Sequence, residues 1–555
     1  MGAVLAEMLA LYGTEHFFLL TGGDNAFLLD LRDRGISPVL ARSERSAAFM
    51  ADAYSRLTRR ASFVYGQFGP GAAVALSGLI DAQFAKSAVV GLMSDTKTDV
   101  RHRFAYQELD QVAMFAPFTK WAARVERPDR AADMLRTAIR EAVSGCPGPT
   151  YLGMPSDMLL EAEGSAGAVY VEDPTKTVPA YRTRPDSHAV DAAARLIERA
   201  QRPVLLAGTG VIVSAAWDAV RVLAEAHDIP VVTSVGGKGA MAETHRLCHG
   251  VAGRYSRRSA NAILRQADVV LAVGTRLGDM TTDRGRAIAP SAGIVQLDIE
   301  AGAGGRNLRP NALLVGDAAL SLIDLQDALD PGYRTGDWAA EASAVTTEWL
   351  DRRSQVEGQA QGKPISPVSV VATLRESLGE GDLLVTDTGY MSAWTSTLYD
   401  VRRPGMTHLR TAGSLGWATP AALGAQLAAP TSRVIAVTGD GGIGYHISEI
   451  ETAVRLGLPV VFVCMNNGGL AFEYQVQNRI LGDVEPRLVN FGDADYAAVA
   501  RGFGARAERV EEPSELRPAM QRALADGGPV LLEVMTDRDA VAPVTNYDHL
   551  QERTL

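Results

Sequence analysis

Short apolar runs alternate with segments of helical period along almost the whole chain. Near the carboxyl end, the runs 434–437 and 459–463 read as buried strands. Residues 447–456 between them place apolar side chains at helical spacing. Units of this kind form parallel sheets covered by helices. The pattern therefore predicts an α/β protein.

Two stretches rich in polar residues divide this pattern into three blocks. They span 164–188 and 351–367 and read as links over the surface. A chain of 555 residues is also too long for a single core. We predict three doubly wound parallel-sheet domains, covering 1–165, 188–335 and 365–540.

Charge and cysteine usage narrow the classes of function. A net charge of -11 argues against nucleic-acid binding. Cys146, Cys248 and Cys464 show neither pair nor ligand spacing, which is typical of a reducing compartment. No apolar run reaches transmembrane length, and the amino terminus lacks the regions of a signal peptide. We therefore expect a cytoplasmic protein without a membrane segment or a nucleic-acid partner.

A glycine-flanked aspartate follows the first of these strands, and an asparagine pair follows the second. Asp440 precedes Gly441, and 24 residues (442–465) separate Gly441 from Asn466-Asn467. Because parallel strands end on the same edge of a sheet, Asp440 and Asn467 can converge there. A carboxylate and an amide oxygen suit Mg²⁺, which takes further ligands from phosphates. Neighbouring glycines let backbone N–H groups approach those phosphates.

This spacing resembles the thiamine diphosphate signature, in which GDG is followed some two dozen residues later by NN. The three blocks are also similar, in order and length, to the pyrimidine-binding, central and diphosphate-binding domains of the acetolactate synthase and pyruvate decarboxylase group. The closest similarity is to acetolactate synthase large subunits. The resemblance implies thiamine diphosphate and Mg²⁺, with the metal held by Asp440, the Asn467 side chain and the Gly469 carbonyl. It assigns cofactor contacts to Gly439, Asp440, Gly441, Gly442, Asn467, Gly469, Leu470 and Ala471.

The first block carries matches to the family's activating residues. Glu44 opens a predicted helix in a segment similar to H-E-x-x-A-x-x-M-A-D-x-Y-A-R. That match makes it the carboxyl group that hydrogen-bonds the pyrimidine N1′ and activates the cofactor. Gly69 and Pro70 match the S-G-P-G turn that runs close to the cofactor. Gln107 stands where synthases have F-Q-E and would reach the reacting carbon, and Lys120 resembles the lysine of their I-T-K-H.

The third block carries two further cofactor segments. A predicted strand over 383–386 is followed directly by Asp387, Thr388, Gly389 and Tyr390. The backbone of these four residues can therefore face phosphate. The stretch 413–417 resembles the family's G-T-M-G-F-G. By that resemblance Gly413 offers its carbonyl to the 4′-amino group, Ser414 continues the loop, and Leu415 is the apolar wedge that bends the cofactor.

Several residues depart from the synthase pattern. Glu473 falls where simple 2-oxo acid decarboxylases carry a proton-handling glutamate, whereas synthases have apolar residues nearby. Decarboxylases also use a His-His pair in the first block, where this chain has Asp95-Thr96-Lys97. Asp24 is an addition to the synthases' double-glycine loop, and it could form an acidic pocket with Glu473.

The central block matches only part of the segments with which synthases bind a non-redox FAD. His249-Gly250 resembles their H-G, whereas residues 277–280 match F-D-D-R-V poorly. The resemblance allows FAD, but a purely structural central domain is favoured.

Glu44, Gln107 and Glu473 are the predicted catalytic residues. The resemblance implies a carboligase that decarboxylates a 2-oxo acid and transfers the acyl carbanion equivalent to a second carbonyl compound. Alternatives are a 2-oxo acid decarboxylase that releases an aldehyde and a lyase acting on 2-hydroxyacyl-CoA or oxalyl-CoA. A non-catalytic nucleotide-binding homologue is an alternative from another class. The family also implies small-molecule substrates and active sites shared between subunits of a homodimer or homotetramer.

Overall fold

A computed structural model of the chain describes residues 1–160 and 168–545. It contains three six-stranded, fully parallel sheets flanked by helices, which confirms the predicted α/β class and the three doubly wound domains. The central strands are buried along their whole length, as expected for parallel sheets covered on both faces. Residues 164–167 of the first predicted link, and the end of the 1–165 block, lie outside the described residues.

The first sheet has the strand order β2-β1-β3-β4-β6-β5, so the order reverses between β1 and β3. Its strands are β1 (His16–Leu19), β2 (Ser37–Leu40), β3 (Ser62–Tyr65), β4 (Val89–Asp95), β5 (Ala122–Arg124) and β6 (Thr150–Pro155). Its helices are α1 (Gly2–Leu11), α2 (Asn25–Asp33), α3 (Glu44–Thr58), α4 (Pro70–Ala85), α5 (Gln111–Phe115), α6 (Ala131–Val143) and α7 (Ser156–Leu160). Ligands of such sheets bind at the carboxyl ends of the strands, near the reversal.

The central sheet has the order β12-β11-β10-β7-β8-β9, which is the dinucleotide-binding order when numbered from its own first strand. Its strands are β7 (Pro203–Ala207), β8 (Val231–Thr233), β9 (Cys248–Val251), β10 (Val269–Val273), β11 (Gly293–Asp298) and β12 (Ala312–Val315). Its helices are α8 (Ser187–Glu198), α9 (Thr209–Val213), α10 (Trp217–His227), α11 (Arg258–Gln266), α12 (Asp279–Thr282) and α13 (Ala318–Ala328).

The second predicted link is in part helical. Helix α14 (Trp338–Gln359) includes residues 351–359, which sequence composition assigned to a polar link. Its outer face is polar, but Trp349 and Arg353 are buried, and Arg353 is paired with Asp400 of the third domain at 3.0 Å. A few buried contacts at helical spacing therefore fix this segment despite its polar composition.

The third sheet, in the order β14-β13-β15-β16-β18-β17, repeats the topology of the first. Its strands are β13 (Leu383–Thr386), β14 (His408–Arg410), β15 (Val434–Gly439), β16 (Val460–Asn466), β17 (Arg506–Val510) and β18 (Val530–Met535). Its helices are α15 (Pro367–Ser377), α16 (Tyr390–Leu398), α17 (Ala418–Ala428), α18 (Asp440–His446), α19 (Glu449–Leu456), α20 (Ala471–Gln475), α21 (Pro486–Val489), α22 (Tyr496–Gly502) and α23 (Pro513–Ala525).

The first and third domains share one hydrophobic core through helices α3 and α17. A Cβ at Gly424 of α17 would lie 2.1 Å from the Met50 carbonyl oxygen of α3. On the other side of α3, a Cβ at Gly78 of α4 would lie 2.4 Å from that of Ala48. These glycines let three helices approach to backbone contact, which fixes the position of α3.

No helix among residues 1–160 and 168–545 is long and apolar enough to cross a membrane.

Candidate active site

The predicted activating glutamate lies at the start of α3. Ser43 caps this helix by accepting a hydrogen bond from the Ser46 N–H. The Glu44 side chain points toward two glycines, because an added Cβ would lie 2.7 Å from its Oε1 at Gly71 and 2.9 Å from its Cγ at Gly66. The glycines leave the carboxyl group room at the carboxyl edge of the first sheet.

Gln107 is held by a second amide beside this glutamate. Gln67 Nε2 donates to Gln107 Oε1 at 3.0 Å, and the Gln67 Cβ lies near the space above Gly71 that Glu44 faces. Gln107 has a φ of 59°, in the left-handed region that side chains rarely adopt. Sequence matching found Gln107 but missed Gln67, which holds its amide.

The carboxylate of Glu108 organises the loop around Gln107. It accepts from the N–H of His102 at 2.6 Å and from that of Ala105 at 3.1 Å. The hydrogen bond from His102 lowers the pKa of Glu108, and the bond from Ala105 adds to this effect. His102 and Phe104 have positive φ values as well. The loop therefore combines local backbone strain with hydrogen bonds to the Glu108 carboxylate that hold it in place.

The turn at Gly69-Pro70 is fixed by a buried amide that the sequence did not reveal. Gln111 accepts from the Gly69 N–H at 2.8 Å, and its Nε2 donates to the Ser94 carbonyl at 3.0 Å and to Tyr151 Oη at 2.8 Å. Gln111 is almost fully buried and Gly69 has a φ of 72°. The amide thus holds the turn against the sheet.

Lys120 binds the carboxyl end of helix α6. Its ammonium donates to the carbonyls of Glu141 and Ser144, at the carboxyl terminus of α6. A cation at that end interacts favourably with the helix dipole, so a structural role accounts for Lys120.

The predicted metal ligands lie at the ends of neighbouring strands. Asp440 follows β15, Asn467 follows β16, and these strands are paired in parallel. Asp440 Oδ2 and Asn467 Oδ1 are both buried without a hydrogen-bond partner among the described residues. Burial raises the pKa of Asp440 to about 6. Hydrogen bonds from backbone N–H groups, of which that of Gly441 has the largest effect, lower this pKa in part. Two buried oxygens that no protein donor satisfies fit a hard cation such as Mg²⁺.

No group of three or more His, Cys, Asp or Glu side chains in the described residues has the geometry of a metal site. One carboxylate, one amide and a backbone carbonyl would not form such a group. This arrangement fits Mg²⁺ that completes its shell with phosphate and water.

Glycines around Asp440 make a close backbone cradle. A Cβ at Gly441 would lie 2.8 Å from Leu470, one at Gly442 2.5 Å from Thr438 Oγ1, and one at Gly469 2.0 Å from the Val489 carbonyl oxygen. Helix α18 begins at Asp440, so its first N–H groups face the space beside the candidate metal ligands. Gly439 precedes this helix, and Leu470 and Ala471 open the short α20 next to it.

The side chain of Asp387 organises the third domain from within. It accepts from the N–H of Thr388 at 2.8 Å, from that of Gly416 at 3.0 Å and from Thr438 Oγ1 at 3.1 Å. Burial raises its pKa to about 6. The Asp387 side chain is therefore occupied within the protein, whereas Thr388 and Gly389 are half-buried and Tyr390 is buried at the start of α16.

The loop from Gly413 to Leu415 is held by a carboxylate of the first domain. Asp81 of α4 accepts from the N–H of Gly413 at 3.1 Å and from that of Ser414 at 2.9 Å. It also accepts from Ala412 and from the Thr411 hydroxyl. Gly413 is exposed and Leu415 is half-buried, so this leucine is not an ordinary core residue.

Asp81 was not found from the sequence. Its only local sign is that it stands alone as a charged residue in the apolar helix α4. Its partners lie some 330 positions away, beyond the reach of local patterns.

Within one chain, the two residues after Glu44 contact the end of α18 that is opposite to Asp440. Arg45 stacks on Tyr445 at 5.3 Å, and Ser46 Oγ lies 2.9 Å from His446 Nδ1. These contacts involve the last turn of α18, whereas Asp440 is its first residue, about 9 Å away at the rise of an α-helix. Among the described residues, no hydrogen bond, ion pair or ring contact joins Glu44 to the predicted metal ligands.

Glu473 and Asp24 lie in different domains. Glu473 is exposed on α20, while Asp24 precedes α2 and accepts from Tyr65 Oη at 3.1 Å. No contact between these two carboxylates is present in the described part of the chain, so one subunit does not form the acidic pocket.

A cleft of about 1080 Å³ runs between the central domain and the other two. It is lined by Thr209 and Gly210 at the end of β7, by Asp298 at the end of β11, and by Arg410 of the third domain. His249 and Gly250 are not among its lining residues. Burial lowers the pKa of His249 to about 4, and its Nδ1 lies 2.8 Å from Thr346 Oγ1.

Comparison with known proteins identifies the same three domains. Residues 1–114 match the thiamine pyrophosphate enzyme N-terminal TPP binding domain, 190–325 the central domain and 387–534 the C-terminal TPP binding domain.

Among similar proteins, the probable acetolactate synthase large subunit of Methanocaldococcus jannaschii is 31% identical over 96% of this chain and 91% of its own length. The acetolactate synthase isozyme 3 large subunit of Escherichia coli is 29% identical over 92% of this chain and 90% of its own length. The chain therefore belongs to the thiamine pyrophosphate enzymes and is a cofactor-dependent carboligase of the acetolactate synthase type.

Proposed function

We propose that this protein uses Mg²⁺ and thiamine diphosphate to decarboxylate a 2-oxo acid and to pass the resulting acyl carbanion equivalent to a second carbonyl compound. The observation that carries the proposal is the pair of buried, unpartnered oxygens on Asp440 and Asn467 beside the glycine-rich start of α18. When bound, the cofactor supplies the nucleophilic carbon and the electron sink for decarboxylation.

The residues of the chain have separate roles in this proposal. Asp440, Asn467 and the Gly469 carbonyl hold the metal, and the backbone near Asp387 faces the diphosphate. Glu44 holds a proton beside the pyrimidine, and Leu415 supports the bent cofactor. Gln107, fixed by Gln67, orients the substrate, and the exposed Glu473 handles a proton near the reacting carbon.

Each active site is proposed to be shared between two copies of the chain. In one chain the neighbours of Glu44 contact the last turn of α18, whereas Asp440 is its first residue, and the family resemblance assigns Glu44 and Asp440 of one site to different subunits. A second copy would place its third domain against the first domain of its partner. We propose a homodimer as the minimal active unit, with a tetramer as a pair of such dimers.

The metal assignment is tested by Asp440→Ala. Loss of one of two anchoring oxygens should abolish retention of thiamine diphosphate while the fold persists. Calorimetric titration of the cofactor at increasing Mg²⁺ measures the effect. Asp493→Ala is a matched control, because that carboxylate is 92% exposed in the same domain. Unchanged affinity in Asp440→Ala would refute the metal site.

The reaction class is tested by incubating the enzyme with a panel of 2-oxo acids, with and without aldehydes. The products are identified by mass spectrometry. A carboligase gives coupled products. A decarboxylase, the second candidate because of the exposed Glu473, gives free aldehyde from a 2-oxo acid alone. Turnover of CoA thioesters in the same assay would favour the lyase alternative, for which the exposed loop near Arg101 and Arg103 is the only support.

FAD is not part of the proposal, although the central strand order is compatible with a nucleotide. Of the segments that suggested a flavin, His249-Gly250 lies outside the cleft. We expect the purified enzyme to lack flavin absorbance near 450 nm, and a stoichiometric flavin would overturn this expectation. The scattered cysteines fit action in the cytoplasm, which we propose as the compartment.

A further inference from the structure

The loop that carries Asp24 lies among the predicted catalytic residues of the first domain. In the sheet order β2-β1-β3, Glu44 follows β2, Asp24 follows β1 and Gln67 follows β3. Asp24 therefore lies in the loop that follows β1, the strand between β2 and β3. All three residues are at the same carboxyl edge of the sheet. The loop touches this edge directly, because a Cβ at Gly22 would lie 2.3 Å from Gln67 Oε1.

The carboxylate of Asp24 does not cap the helix that it precedes. Aspartate at this position usually accepts from the first N–H groups of a helix. Here the side chain makes no cap bond to α2, and the residue takes a left-handed φ of 50°. Its Oδ2 instead accepts from Tyr65 Oη at 3.1 Å. The carboxylate is therefore not used by the helix and remains available at this edge of the sheet.

Tyr65 is fully buried in β3 and sends only its hydroxyl to this edge. Burial raises the pKa of Tyr65, so the phenol stays a proton donor and orients the carboxylate. A single neutral donor leaves the other acceptor positions of the half-buried Asp24 open. No lysine, arginine or histidine nitrogen of residues 1–160 and 168–545 lies within 4.0 Å of this carboxylate.

A half-buried carboxylate that no cation of the described residues neutralises can attract a positively charged ligand. Building on the proposed carboligation, we propose that Asp24, oriented by Tyr65, is the residue that selects the second substrate, and that this substrate carries a positively charged group remote from its reacting carbonyl. Gln67 and Gln107 hold the reacting end, and Asp24 holds the cationic end.

The test uses two aldehydes of equal shape and different charge, 4-(trimethylammonio)butanal and its neutral isostere 5,5-dimethylhexanal, in which a propylene chain keeps the charge remote from the carbonyl. Each is offered as acceptor with the 2-oxo acid that the enzyme decarboxylates. We expect kcat/KM for the cationic aldehyde to exceed that for the neutral aldehyde at least about tenfold, the scale of one partly desolvated charge contact. Raised ionic strength should reduce this ratio.

Asp24→Asn keeps an oxygen for Tyr65 but removes the charge, and it should bring the ratio close to one. Because the ratio is formed within each variant, a general loss of activity cancels. Asp33→Asn, which removes an exposed carboxylate from α2, is the matched control and should keep the wild-type ratio.

Equal use of the two aldehydes by the wild type, refusal of the cationic aldehyde, or a salt-insensitive ratio would each overturn the inference. A ratio unchanged in a folded Asp24→Asn would do the same. Release of CO₂ from the 2-oxo acid without acceptor is measured in parallel. If no 2-oxo acid is decarboxylated, the proposed function fails first. If decarboxylation proceeds without charge preference, only the role of Asp24 fails.

Discussion

At the scale of single residues, the site depends on small side chains as much as on reactive ones. Glu44 has space to act because Gly66 and Gly71 stand opposite it, and Asp440 is approached by backbone because glycines surround it. A methyl group at Gly469 would displace the segment around Val489. Substitution of these glycines would therefore damage the site without removing any reactive group.

Glu44 is expected to matter for activation and not for retention of the cofactor. Glu44→Gln can still hydrogen-bond the pyrimidine but cannot supply the proton that the active tautomer needs. We predict that hydrogen–deuterium exchange at C2 of the bound cofactor falls at least about a hundredfold, the scale of an acid–base contribution. Exchange is followed by NMR after acid quench. A wild-type exchange rate in this variant would disprove the role.

Glu108 is expected to act through the loop that carries Gln107. Glu108→Gln loses one of the two acceptors for the N–H groups of His102 and Ala105, so kcat/KM should fall about tenfold while cofactor affinity is kept. Glu126→Gln, an exposed glutamate of the same domain, is the control.

The pH dependence of this effect has a definite sign. The folded-state pKa of Glu108 is lowered, so its carboxylate supports the loop fully above the ordinary glutamate pKa. That support is lost as the pH falls through the lowered value. The ratio of wild-type to Glu108→Gln activity should therefore be constant near neutrality and shrink in acid. A constant ratio down to the acid limit of folding would contradict the role.

At the scale of elements, α4 connects two parts of the proposed machinery. Its first turn begins at Gly69-Pro70, the turn predicted to lie beside one cofactor, and Asp81 near its other end holds the loop at Gly413–Leu415. In a shared-site dimer these two ends would serve different active sites. The helix would then tie the conformation of one site to that of the other.

Asp81→Asn tests the importance of the hydrogen bonds between Asp81 and the loop at Gly413–Leu415. The amide keeps one acceptor oxygen but turns an NH₂ group toward backbone donors, so the loop should lose its fixed shape. We predict at least about a tenfold loss of thiamine diphosphate affinity. Val74→Ala, exposed on the same helix, is the control. Wild-type affinity in a folded Asp81→Asn would show that the loop holds its shape without Asp81.

Sequence patterns predicted the elements better than the contacts between them. The parallel sheets followed from unbroken apolar runs such as 459–463, most of which lies in β16, because strands covered on both faces need such runs. The helical stretch after Asp440 proved to be two helices, since α18 ends at His446 and α19 begins at Glu449. Gln111 and Asp81 escaped prediction because their partners come from distant segments.

At the scale of the whole molecule, the repeated topology of the first and third domains is compatible with the proposed sharing of sites between two copies. Both sheets have the same strand order and present function at their carboxyl edges, and the two domains of one chain pack through α3 and α17. That packing directs Arg45 and Ser46 to the last turn of α18. In the proposed dimer, the edge that carries Glu44 would meet the edge that carries Asp440 in the other copy.

Mixed dimers test this arrangement directly. Glu44→Gln and Asp440→Ala subunits should each be inactive alone, yet co-expression should restore activity. In a mixed dimer with shared sites, one site carries both lesions and the other carries neither. Verified heterodimers, purified through two different tags, should therefore have about half the activity per dimer of the wild type.

Co-expression is preferred to mixing, because complementation requires exchange of subunits during assembly. Coupled product from the panel substrate is the readout, with each variant homodimer as its own control. If every site were built within one chain, each site of the heterodimer would keep one lesion and no activity would return. A fully active monomer in sedimentation, or silent heterodimers, would therefore show that each chain builds its own site and would exclude the shared arrangement.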